Sequence, residues 1–76
     1  MVKLIRLYTG LGFTVTFNED IVIFTASISG NWYFNEILVE RNSPTYLAEK
    51  VIFPGMVSFE AKLGNEYKKH SKWIEF

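Results

Sequence analysis

The chain has 76 residues, which is enough for one domain but leaves a small core and a marginal stability. It has no cysteine and only one histidine, so disulfide bridges and thiolate metal sites are excluded, and we expect neither a metal nor a cofactor. The eight basic and eight acidic side chains give a net charge of zero, so no overall field attracts nucleic acid or an anionic membrane.

No part of the sequence has the features of a membrane segment. No apolar run approaches the ~20 residues that a spanning helix needs. The N-terminal apolar run is interrupted by Lys3 and Arg6, which is not typical of a signal peptide. The sequence therefore predicts a cytoplasmic protein without membrane association. No repeat or linker is visible, so we treat residues 1–76 as a single compact domain.

The first half of the chain alternates apolar and polar side chains, which is typical of β-strands. Residues 2–8 are rich in β-forming side chains and predict a first strand. Three further strands follow, and together they predict a central meander over residues 11–41. Glu19-Asp20 lies at its first predicted turn, and Gly30-Asn31, a pair typical of two-residue hairpin loops, at its second.

The register of this meander can be tested by folding the strands about the two predicted turns. Directly opposed residues share a face of the sheet, and both hairpins then bring apolar side chains together on one face. The first hairpin predicts the pairs Phe17–Val22, Val15–Phe24, Phe13–Ala26 and Thr14–Thr25, and the second predicts Ile28–Tyr33, Phe24–Ile37, Val22–Val39 and Asp20–Arg41.

The segment after the meander is less regular. Ser43-Pro44 is typical of a helix start, with serine as the N-cap and proline in the first turn. One short helical turn near 44–50 and an extended coil are both compatible with this sequence. Residues 51–53 are predicted to form a short strand, and Pro54-Gly55 a turn.

The last part of the chain predicts two more strands. Residues 57–63 alternate cleanly and predict the first of them. A tight hairpin at Gly64-Asn65 would place charged side chains opposite Ala61, Phe59 and Val57. We therefore predict an exposed loop over 64–70 and a last strand over 72–76, with Phe59 facing Ile74 and Val57 facing Phe76.

Six or seven short strands in 76 residues predict an all-β fold. We expect a small antiparallel barrel or a tight two-sheet sandwich around the central meander, with at most one short helical turn near 44–50. Such a fold does not define a function, because the same small barrels carry many unrelated activities.

No group of residues predicts catalysis. A nucleophilic mechanism needs a nucleophile, a base and an orienting group within contact distance. His70 and Asp20 are the only histidine and the only aspartate, and they fall in different predicted loops. We therefore expect no catalytic residues and a protein that is not an enzyme.

The outer face of the meander is the strongest functional signal. Its predicted solvent side carries Ile21, Ile23, Phe34 and Leu38, and Trp32 extends this stripe at the hairpin tip. A sheet face in contact with water is normally polar. Either the second half of the chain covers this face, or it binds a protein partner or a second copy of the chain.

A basic segment near the C-terminus supports an alternative function. Lys68, Lys69, Lys72 and Trp73 combine positive charge with an aromatic side chain, as in small barrels that bind single-stranded nucleic acid. The zero net charge and the interspersed glutamates are also compatible with an ordinary solvated loop. The sequence thus favours a non-enzymatic protein-interaction module, such as an inhibitor or an assembly subunit, over a nucleic-acid-binding protein.

Overall fold

The computed structural model describes the backbone of residues 3–6 and the whole of residues 12–76, and antiparallel strands form most of both parts. The strands are β1 (Lys3–Arg6), β2 (Phe13–Phe17), β3 (Ile21–Phe34), β4 (Ile37–Glu49), β5 (Gly55–Leu63) and β6 (Glu66–Ile74), with one 3-10 turn at Lys50–Ile52. The predicted all-β class is confirmed. The rest of the predicted strand over 2–8 lies outside the described residues.

The long strand β3 organises a sheet that curls into a half-barrel. β4 follows one edge of β3 along its length. The other edge is shared by β2, which pairs with the first half of β3, and β5, which pairs with the second half. β1 and β6 extend the sheet beyond β2 and β5 respectively. This topology is consistent with the small antiparallel barrel that the sequence predicts.

The core lies on the inner face of the curled sheet. Even-numbered side chains of β3 point to this face, so Val22, Phe24 and Trp32 are fully buried. They pack with apolar side chains of the neighbouring strands, chiefly Phe13, Val15, Tyr46, Ala48, Val57, Phe59, Ala61 and Ile74. No helix in the described part of the chain is long and apolar enough to cross a membrane.

The predicted register of the first hairpin is confirmed. Val15 pairs with Phe24 and Thr14 with Thr25, and the two other predicted pairs also form. The Asn18 side chain stabilises the turn, because its Oδ1 accepts the backbone N–H groups of Asp20 at 2.8 Å and Ile21 at 2.9 Å. This Asx-type bonding supplies the local support that a Glu-Asp pair does not provide alone.

The predicted second turn is wrong, because β3 continues through Gly30-Asn31. The chain turns instead at Asn35 and Glu36, whose φ angles of 50° and 71° fit a type I′ hairpin. The four predicted pairs of this hairpin are therefore absent, and Phe24 pairs with Tyr46 rather than with Ile37.

Gly30 has a packing role rather than a turn role. A Cβ at this position would lie 2.6 Å from the Phe59 ring and would overlap the Glu60 carbonyl oxygen. Glycine is therefore needed because β5 approaches β3 closely here. The hairpin tip is tied to the same strand, since Asn35 Oδ1 accepts the Met56 N–H at 2.9 Å.

The prediction of a helix start at Ser43-Pro44 is also wrong, because β4 extends to Glu49. The Ser43 hydroxyl does not cap a helix but bonds to both backbone groups of Thr45. It accepts the N–H at 3.2 Å and donates to the carbonyl oxygen at 2.8 Å. The only helical turn of the described chain is at Lys50–Ile52, where a short strand was predicted.

The predicted loop over 64–70 does not form. Gly64-Asn65 makes a tight hairpin instead, although such a hairpin places charged side chains opposite apolar ones. Gly64 has a φ of 65°, which glycine adopts without strain. Lys68 and Lys72 do lie opposite core residues. Their long side chains nevertheless stay exposed, because β6 ends the sheet. Ile74 consequently pairs with Gly55 instead of Phe59.

Candidate functional site

An exposed apolar patch crosses the outer face of the sheet near the end of β4. Thr16, Ile23 and Leu47 are register partners on three adjacent strands, so their side chains share one face. Ile23 is 38% exposed and Leu47 is 61% exposed. With Phe17, Asn18 and Ile21 they line a shallow cavity of about 180 Å³, and we call these six residues the Ile23 patch.

The patch exists because β3 is apolar on both faces over its first half. Val22 and Phe24 fill the core, whereas Ile21 and Ile23 alternate with them and face outward. A solvated sheet face normally carries polar side chains at such positions. The adjoining turn has a defined shape, because Asn18 Oδ1 accepts two of its backbone N–H groups.

The described rim of the patch is acidic. Glu49 is the register partner of Ile21 and shares its outer face, while Glu19 and Asp20 lie in the adjacent turn. The nearby Lys50 offsets only part of this charge: its Nζ lies over the Phe17 ring at 4.9 Å and over the Phe76 ring at 5.4 Å, and the rim carries three carboxylates. A partner with positive charge is therefore favoured at this rim.

Two hydrogen bonds determine which backbone groups of β4 point away from β3. The Lys50 N–H donates to the Asp20 carbonyl at 2.8 Å, and the Asn18 N–H donates to the Ile21 carbonyl at 3.1 Å. Antiparallel pairs alternate between bonded and non-bonded positions. In β4, Tyr46 and Ala48 are therefore bonded to β3, whereas the N–H and C=O groups of Thr45, Leu47 and Glu49 point to the free edge.

The position of Ser43 supports this assignment independently. Its hydroxyl bonds to both the N–H and the C=O of Thr45, as expected for backbone groups that face away from β3. No such side chain lies on the next two outward-facing positions. Within the described chain, the backbone groups of Leu47 and Glu49 have no hydrogen-bond partner, and they form an open strand edge directly beside the Ile23 patch.

The structure separates the four residues of the predicted interface. Ile23 lies in the patch. Trp32 does not, because β3 continues in phase through Gly30 and carries the indole into the core, where its Nε1 donates to the Ser43 carbonyl at 2.9 Å. Phe34 has the same inward phase, and its ring centroid lies 5.2 Å from that of Phe53.

Leu38 is on the outer face but belongs to a different region. It pairs with Tyr33, ten residues along β3 from Ile23, which corresponds to roughly 33 Å of strand. Its surroundings are polar, because the Tyr33 hydroxyl donates to Glu60 Oε1 at 3.0 Å. This hydrogen bond, burial and the negative charge of Glu60 together raise the pKa of Tyr33 above its ordinary value.

The four residues of the alternative nucleic-acid site are all on β6, but they face opposite ways. Lys68 and Lys72 lie on one face of the strand, and Lys69 and Trp73 on the other. Two of the lysines have acidic partners: Lys68 Nζ is 3.2 Å from a Glu66 oxygen, and Lys69 Nζ is 3.4 Å from a Glu36 oxygen. The basic residues therefore form a strand edge rather than a continuous groove.

The described part of the chain has no side-chain cluster typical of metal binding. No group of three or more histidine, aspartate and glutamate side chains in that part of the chain can hold a metal ion. His70 was predicted to lie in a loop but lies in β6, and the centroid of its ring is 5.9 Å from that of the buried Phe13 ring. The hydroxyls of Ser58 and Ser71 hydrogen-bond to each other at 2.7 Å on the opposite face of the sheet.

Comparisons of the chain with protein-family models, with curated proteins and with solved structures found no match. Sequence reasoning missed Leu47 and Glu49, because it placed residues 44–50 in a helical turn or coil. Apolar residues recur at alternate positions from Val22 to Phe34. This pattern indicates that β3 continues past Gly30, which would place Leu47 and Glu49 opposite its first half.

Proposed function

We propose that this protein is a non-enzymatic interaction module that binds a protein partner through the Ile23 patch. The observation that carries this proposal is the exposure of Ile21, Ile23 and Leu47 on the water-facing side of the sheet. Apolar patches of this kind, with a polar or charged rim, are typical of protein-binding surfaces. The cytoplasmic location expected from the sequence remains a prediction.

The apolar side chains contribute only part of the binding free energy. Fully burying an exposed side chain of this size contributes about 1.5–3 kcal/mol, and these three are already partly covered. Their complete burial is therefore worth about 2–4 kcal/mol, whereas association itself costs about 4–15 kcal/mol. Backbone hydrogen bonds or charge pairs with the partner must supply the rest.

The charges favour a different protein over a second copy as the occupant of the patch. A symmetric contact through the patch would place the acidic rim of one chain, with Glu19, Asp20 and Glu49, near the same rim of the other. Like charges at an interface are unfavourable. A partner carrying lysine or arginine avoids this repulsion and gains attraction.

The proposal is tested by replacing one patch residue and one matched control residue. Leu47 and Leu63 are both exposed leucines on strands, but Leu63 lies at the distant β5–β6 hairpin. A protein that binds the immobilised wild-type chain is identified by mass spectrometry and purified. The Kd of its complex with the wild type and with each variant is then measured. Leu47→Lys should weaken binding at least about tenfold, and Leu63→Lys should not. Equal binding by both variants would contradict the proposal.

Binding of single-stranded nucleic acid through β6 is a second candidate. It is favoured by the exposed aromatic side chains of Tyr67 and Trp73, which alternate with Lys69 on one face of the strand. Titrating a fluorescent single-stranded oligonucleotide at several salt concentrations tests it. Tight, salt-sensitive binding that Lys69→Glu abolishes and Leu47→Lys leaves intact would favour this function over the patch.

A further inference from the structure

We infer that the partner binds as an extended, basic segment that adds a strand to the free edge of β4 at Leu47–Glu49. This inference rests on the proposed function of the Ile23 patch and specifies both the binding mode and the chemistry of the partner. β-Strand addition derives affinity from main-chain hydrogen bonds and specificity from alternate side chains. The β4 edge offers both features within a few residues.

The backbone of β4 is oriented to pair with an added strand. Leu47 and Glu49 each direct an N–H and a C=O away from β3, so an incoming strand can form four hydrogen bonds with them. Among the described strands β4 pairs with β3, and no other described strand pairs with this edge. The open edge ends at Thr45, because the Ser43 hydroxyl hydrogen-bonds to both the N–H and the C=O of Thr45.

The outer face offers side-chain contacts beside this edge. Alternate side chains of an added strand lie beside Leu47 and Glu49 on the same face as the Ile23 patch. An apolar partner side chain there would cover Leu47, which is 61% exposed. Flanking lysine or arginine side chains would lie near Glu49. The structure thus favours a segment in which apolar and basic residues alternate.

The edge of the sheet at β6 does not suit a basic segment. β6 carries Lys68, Lys69 and Lys72, which repel a basic segment. Lysines on an edge strand are a common means of preventing unwanted strand pairing. The edge of β4 has no lysine between Ile37 and Glu49, and its only basic side chain is Arg41.

The test uses a short synthetic peptide in which lysine and valine alternate. Amide hydrogen exchange of the 15N-labelled protein is followed residue by residue with and without the peptide. In the free protein, the Leu47 and Glu49 amides should exchange fast and those of Tyr46 and Ala48 slowly. The peptide should slow exchange at Leu47 and Glu49 at least about tenfold at saturation. A peptide with glutamate in place of lysine should have no such effect.

Two further controls separate charge from main-chain pairing. Glu49→Lys should weaken binding of the lysine–valine peptide about five- to tenfold at low salt, whereas Glu66→Lys, the same change on β6, should alter it less than about twofold. The same peptide with N-methylated backbone amides keeps its charges but lacks donors, and it should not protect the edge. Protection by this methylated peptide, or equal effects of the two variants, would overturn the inference.

The outcomes also distinguish this inference from the proposed function. If a purified partner binds in a Leu47-dependent manner but leaves the Leu47 and Glu49 amides unprotected, strand addition is wrong and the patch remains the docking surface. If binding is insensitive to Leu47→Lys, the proposed function is wrong as well. Protection of the edge amides by a second copy at high protein concentration, without peptide, would replace the basic partner with self-association.

Discussion

Replacing Gly30 with alanine should destabilise the protein by about 1–3 kcal/mol, the usual cost of forcing extra volume into a packed site. The added Cβ would lie 2.6 Å and 2.7 Å from two carbon atoms of the Phe59 ring, and it would overlap the Glu60 carbonyl oxygen. The ring can rotate only slightly, because Phe59 is 1% exposed, and the carbonyl belongs to a paired strand. The second half of β3 must therefore separate from β5.

The assay for this prediction is urea unfolding of Gly30→Ala beside the control Ser29→Ala, whose side chain is exposed. For a domain of this size, each kcal/mol also lowers Tm by about 4–8 °C, which gives an independent measurement. The control should remain within about 0.5 kcal/mol of the wild type. If Gly30→Ala is as stable as this control, then β5 does not pass against Gly30 and the described register of β3 and β5 is wrong.

Three other changes test separate parts of the structure. Phe24→Ala should cost about 3–5 kcal/mol in a denaturant titration, because the ring is fully buried, and a loss below about 1 kcal/mol would place it outside the core. The raised pKa of Tyr33 means that the folded state favours the neutral phenol, so its contribution to stability is present below about pH 10 and is lost as the pH rises through the folded-state pKa. Glu60→Gln should lower that pKa, measured by phenolate absorbance, and an unchanged titration would show that the hydrogen bond from Tyr33 to Glu60 does not form. Ser43→Ala should cost about 0.5–1.5 kcal/mol and speed amide exchange at Thr45, whereas unchanged exchange would show that Ser43 does not occupy this edge.

The first hairpin was predictable because local and non-local signals agree there. Its alternating pattern gives one register, and a shift of one residue would expose Val15 and Phe24 together. The structure has that register. The all-β class was predictable for the same reason, since period-two patterns cover most of the chain.

The second hairpin was not predicted because Gly30-Asn31 has the composition of a turn and lies in a strand. Glycine is used there for the approach of β5, a contact between residues about 30 positions apart that no local pattern reports. The true turn at Asn35-Glu36 was hidden in an apolar run. Moving that turn by five residues also moved Trp32 from the predicted surface to the core.

The basic C-terminal segment was not predicted correctly, because side-chain polarity alone does not define which residues face each other on neighbouring strands. Lys68 and Lys72 lie opposite Ala61 and Val57, which would be unfavourable inside a sheet. At the last strand of an open sheet, long side chains reach water beyond the edge. Sequence alone did not show that β6 is such an edge, so the tight hairpin at Gly64-Asn65 was rejected.

The most direct test of the docking surface is to map a purified partner on the protein by NMR. The partner is the protein whose retention depends on Leu47, and the measurement is the change in 15N and methyl chemical shifts during its titration. We expect the largest changes at Ile21, Ile23 and Leu47, with small changes on β6. Largest changes at Lys72 and Trp73, with Ile23 and Leu47 unaffected, would contradict the account.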